Sequence, residues 1–112
     1  MALAMSAACL LPGVAGAAEV CVEKMSAVET AILDGNFSGR KIGGEYRDQE
    51  RMLDKHYHAV IKLGMGKYDD AIDKLIDISD KAYDLANATK SKLDDDTGIS
   101  NAVNDAIACI AP

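Results

Sequence analysis

Apolar residues recur at helical spacing in four stretches of the chain, separated by glycine-rich or polar breaks. In the first stretch Cys21, Met25, Val28 and Ile32 fall on one face, and Gly35 follows where a left-handed cap belongs. The second runs from about Tyr46 to Leu63, with Tyr46, Gln49, Leu53, Tyr57 and Val60 in line. The third starts near Lys67 and places Tyr68, Ile72, Leu75, Ile76, Ser79, Ala82, Tyr83 and Ala86 on one side. The fourth carries Ile99, Val103, Ala106, Ile107 and Ile110, with Ser100 or Asp96 placed to cap its start. No run alternates as a half-buried strand would.

The breaks set the topology. The joint at Gly64 and Gly66 is short, residues 36–44 (NFSGRKIGG) are glycine-rich and without period, and residues 90–98 (KSKLDDDTG) are polar. Short joints favour antiparallel neighbours, so the expected fold is all-α, an up-down-up-down four-helix bundle. Cys21 opens the first helix and Cys109 ends the fourth. After an even number of antiparallel helices those two points meet at one end. After an odd number they would lie roughly 20–25 Å apart, and a disulfide needs Cα atoms within about 7 Å. A Cys21–Cys109 bridge is therefore expected, closing a loop worth roughly 4–5 kcal/mol in the chain-entropy account.

The first residues, MALAMSAACLLPGVAGAAEV, are read as an export leader. The apolar run from Ala2 to Leu11 is too short to span a bilayer, Pro12 and Gly13 break it, and Ala15-Gly16-Ala17 offers small residues for cleavage after Ala17. No Lys or Arg follows Met1, the one expected leader feature that is missing. The reading gives a signal peptide over residues 1–17 and a single helical domain over 18–112. Cys9 leaves with the leader, which strengthens the pairing of the remaining two cysteines in a periplasmic or secreted protein.

Composition narrows the rest. The chain has 112 residues, of which 49% are hydrophobic, yet it holds one Phe, four Tyr and no Trp. Aliphatic side chains must fill the interior, as in packed helices. A formal net charge of −6 argues against a nucleic-acid binder and against adhesion to an anionic bilayer, both of which call for a basic face. No membrane span is expected in the mature form.

Candidate chemistry is sparse. Gly66-Lys67 is not a phosphate loop, because Ile61 stands where a first glycine is needed and Tyr68 where Ser or Thr is needed. Asp69, Asp73, Asp77, Asp80 and Asp84 share the arc opposite the third apolar stripe, where a solvated face requires charge. Asp70 with Lys74 and Asp77 with Lys81 have the spacing of intrahelical acid–base pairs. Asp94, Asp96 and Ser100 are the candidate oxygens for Ca²⁺, although the glycine comes one place early for an EF-hand loop and Asp105 occupies the position of its closing Glu. His56 and His58, two apart on a helix, point in opposed directions and cannot share a metal. No nucleophile lies in a recognisable setting, so no enzyme and no cofactor are expected. Phe37, Arg40, Lys41, Ile42, Tyr46, Arg47 and Arg51 gather basic and apolar groups in an acidic protein. They are the first place to look for a partner surface, although a basic loop neutralised by Asp48 and Glu50 is the favoured reading.

With the hairpin placed, residues 53–82 (LDKHYHAVIKLGMGKYDDAIDKLIDISDKA) and 97–110 (TGISNAVNDAIACI) resemble the FIMAH-type helical-hairpin module. Gly66, Tyr68, Ala71, Ile72, Leu75, Gly98, Ile99 and Ser100 carry the likeness, over roughly the last 60 residues. Such modules are accessories appended to exported bacterial hydrolases, so the resemblance implies export and an interaction role and carries no catalytic residues. The first helix and the cysteine pair depart from that pattern. The expected function is that of an exported module binding another protein or a cell-surface component. The alternative is a Ca²⁺-binding protein using the acidic helix face.

Overall fold

The structure, a computed structural model, describes residues 21–38, 44–88 and 92–111, with only the backbone described for residues 44–46. The leader and the boundary after Ala17 lie outside these residues. Four helices form: α1 (Val22–Asp34), α2 (Gly44–Gly64), α3 (Tyr68–Ala86) and α4 (Thr97–Ile110). They pack as an antiparallel bundle in which each helix lies against its chain neighbours and α1 also meets α4. Among the described residues there is no strand, only a single bridge between Phe37 and Leu93.

The four stripes exist, but two are rotated from expectation. On α1 the buried residues are Met25, Val28 and Ile32, and on α4 they are Ile99, Val103, Ala106 and Ile110, as their spacing predicts. On α2 the buried set is Met52, His56, Ala59 and Leu63, while Leu53 is half-buried and Tyr57 and Val60 are exposed. The predicted line over Tyr46, Gln49, Leu53, Tyr57 and Val60 is thus corrected by about a quarter turn. On α3 the core takes Ala71, Leu75, Ile78, Ala82 and Leu85 and leaves Ile76 and Tyr83 outside. The cause is the same in both helices. Ala59, Ala71 and Ala82 are small enough to be fully buried on the inner faces, and Tyr57 and Tyr83 stay exposed, where their hydroxyls meet water.

The joints are also specific. Gly66 has φ 79°, and the Gly66 amide donates to the Leu63 carbonyl while the Lys67 amide donates to the Lys62 carbonyl. That pair of bonds is a Schellman ending for α2, and it needs a residue that tolerates a left-handed backbone. Gly35, expected in that conformation, has φ −63° and ψ 142° instead. It is small for another reason: a Cβ there would stand 2.6 Å from the Phe37 ring. The end of α1 is satisfied from outside, by Gln49 Nε2 donating to the Ile32 carbonyl at 3.0 Å and the Leu33 carbonyl at 3.3 Å.

At the far end of α1, Cys21 and Cys109 form a disulfide with Cα atoms 5.8 Å apart. At the near end the chain after α1 pairs with the chain before α4. The Ser38 amide donates to the Lys92 carbonyl, and the Asp94 amide to the Asn36 carbonyl. Between those bonds Leu93 is fully buried and Phe37 packs against the core. The joint read as purely polar therefore contributes a core residue.

Candidate functional site

The expected partner surface does not come together as a whole among the described residues. Arg40, Lys41 and Ile42 lie outside them, as does the side chain of Tyr46. Phe37 is half-buried and turned to the core. Arg47 and Arg51 are exposed on one face of α2, where they share a shallow depression with Glu50, Asp54 and Lys55. Acids interleave with the bases there and divide the field.

The candidate Ca²⁺ oxygens are each occupied locally or set apart. Asp94 accepts a hydrogen bond from Asn36 Nδ2 at 3.0 Å. Ser100 Oγ lies 3.2 Å from Ser79 Oγ and ties α4 to α3. Asp96 stands at the N-cap position of α4 without a side-chain cap bond, and Ser100 lies inside the helix. The capping work passes to Asp95, unremarked in the sequence, whose Oδ1 accepts from the Thr97 amide at 3.0 Å and the Thr97 hydroxyl at 2.7 Å. The amide first, and then the hydroxyl, hold the Asp95 carboxyl below its ordinary value. Among the described residues no three His, Cys, Asp or Glu side chains converge on one point.

The aspartates of α3 do form an exposed face, as their spacing predicts. Asp77 reaches across the hairpin to Lys55 at 3.7 Å, in place of the expected intrahelical pair with Lys81. The histidines part as expected. His58 lies on the surface with its Nδ1 3.5 Å from Asp54, and His56 is turned inward and only 8% exposed. His56 Nε2 stands 2.8 Å from the Met25 carbonyl oxygen. A carbonyl can only accept, so the proton is on Nε2, and His56 clasps α2 to α1.

Beside that clasp lies the feature the sequence reading missed. Val22, Met25, Ser26 and Glu29 of α1 face Leu53, His56, Tyr57, Val60, Leu63 and Gly64 of α2 across a groove of about 450 Å³. Its walls are apolar, and Val22 and Tyr57 remain 57% and 61% exposed at its mouth. A signal for it exists in the sequence. Two apolar stripes run side by side on α2, Met52–His56–Ala59–Leu63 and Leu53–Tyr57–Val60; the first is buried in the core, and of the second only Leu53 packs against it.

Comparison with family models, with curated proteins and with solved structures finds no match. Among the described residues no helix is long and apolar enough to cross a membrane.

Proposed function

We propose that the protein is an exported binding module, one that recognises another protein or a cell-surface component and performs no chemistry of its own. The observation that carries this reading is the apolar groove between α1 and α2, whose rim leaves Val22 and Tyr57 in water. A concave apolar surface of this kind is the ordinary form of a binding site. The Cys21–Cys109 disulfide supports export, because such bonds persist in oxidising compartments. The leader-like residues 1–17 and the likeness of the last 60 or so residues to accessory modules of exported hydrolases point the same way.

The test is crosslinking in the native host, with recovery from the periplasm or medium and mapping of the crosslinks. The expected result is a recurrent partner linked to α1 and α2, on a protein that begins at Ala18 and carries an intact disulfide. A protein that elutes alone under every crosslinker, or remains in the cytoplasm with both thiols free, overturns the reading.

A further inference from the structure

We infer that the α1–α2 groove binds a small amphipathic cation, an apolar body about 10 Å long ending in an ammonium or guanidinium group. The inference rests on the reading of this groove as the contact surface and adds the chemistry of what enters it.

The length follows from the lining. Along α1 the groove runs from Val22 to Glu29, seven residues and so about 10 Å of helix. Beyond Glu29 the bonds from Gln49 to the carbonyls of Ile32 and Leu33 tie the two helices together and close that end. The volume of about 450 Å³ is that of a small-molecule site, or of a pocket that takes one protruding group of a larger partner.

The polarity follows from what lines each end. Around Val22, Val60 and Leu63 the side chains in the lining are hydrocarbon. Ser26 and His56 lie midway along the groove, and Glu29, at the closed end, is the one acidic side chain in the lining. Among the described residues no cation lies within ion-pair distance of Glu29. His56, also in the lining, donates its Nε2–H to the Met25 carbonyl; in that tautomer Nδ1 is an acceptor, and among the described residues nothing bonds to it. A carboxylate and a free acceptor beside an apolar wall ask for a ligand that donates hydrogen bonds, carries positive charge and has a greasy tail. An anionic or purely apolar ligand would leave both acceptors unanswered.

The experiment uses octylammonium, octanoate and octanol, three probes with one chain and different heads, titrated into the whole oxidised protein. Methyl NMR signals of Val22, Leu53, Val60 and Met25 report the groove. Octylammonium should move these signals with an affinity roughly tenfold above octanol, and octanoate should bind weakest. Glu29→Gln, at an exposed position where folding is not at risk, should bring octylammonium down to the level of octanol. Val60→Trp, which fills the groove from its rim, should abolish binding of all three while the thermal midpoint holds. Equal affinity for the three heads, shifts centred outside the groove, or no response at millimolar probe overturns the inference. So does movement of the same signals with protein concentration alone, which would mean that a second copy fills the groove. If the probes fail but crosslinked partners still map to α1 and α2, the binding-module reading stands and only this ligand chemistry falls.

Discussion

Helix α1 has two neighbours and holds them by different means. Against α4 it is fastened at both ends, by the Cys21–Cys109 disulfide at one and by the paired segments around Phe37 and Leu93 at the other. Against α2 it relies on two side-chain clasps, from Gln49 and His56, with an open groove beside them. The difference shows a division of labour within one bundle. The α1–α4 seam carries stability, and that leaves the α1–α2 seam free to stay partly unfilled. A small domain whose seams were all loose would not hold its fold, since typical stabilities are only about 5–15 kcal/mol.

This contrast can be broken at graded points. The largest effect belongs to the disulfide: a Cys21→Ser, Cys109→Ser double variant should lose about 4–5 kcal/mol in urea unfolding, the chain-entropy value for a loop of 88 residues. A loss under about 1 kcal/mol would show that the seam does not depend on its covalent end. Next comes the other end. Leu93→Ala removes a fully buried side chain and should cost about 3 kcal/mol by the same measurement.

Smaller still is Gly35→Ala, whose added carbon meets the Phe37 ring at 2.6 Å and should cost about 1–2 kcal/mol. Its control is Gly98→Ala, where nothing stands within 4 Å of the added carbon, and that variant should gain about 0.5–1 kcal/mol. If the two alanines behave alike, the Phe37 ring is not held where the seam requires it.

The smallest effect is on pH dependence. The Asp95 carboxyl is held below its ordinary value by Thr97, so its contribution is present above the unfolded carboxyl value of about 3.9 and is lost as pH falls through the folded value. Because Asp95 is fully exposed, only a shallow acid limb is expected in a plot of unfolding midpoint against pH. Asp95→Asn should flatten it by lowering the midpoint slightly near neutrality, where the ionised carboxylate contributes, and leaving the acid end unchanged.

Helix count, order and the meeting of the cysteines were legible because they depend only on period and parity. Rotation was not. Placing Tyr57 and Tyr83 in the core follows from their size, yet small residues such as Ala59, Ala71 and Ala82 decide how closely helices approach, and a periodic pattern does not rank them. Leu93 was hidden by its neighbours Lys92 and Asp94, since its burial comes from a pairing with residues 36–38 that no local pattern encodes. The groove escaped for a related reason: a second apolar stripe on α2 reads as a wider core face until the packing shows which stripe is used. Of the expected basic surface, Arg47 and Arg51 are indeed together, but Phe37 serves the interior.

The disulfide has a mechanical consequence. It sets the points where the chain enters and leaves the bundle 5.8 Å apart. A stretching load between flanking segments would pass through two sulfur atoms and bypass the 88-residue span, which unclipped would pay out on the order of 300 Å. Pulled at those two points, the bundle would behave as an inextensible bead, with the load carried by the sulfur–sulfur link and not by its helices.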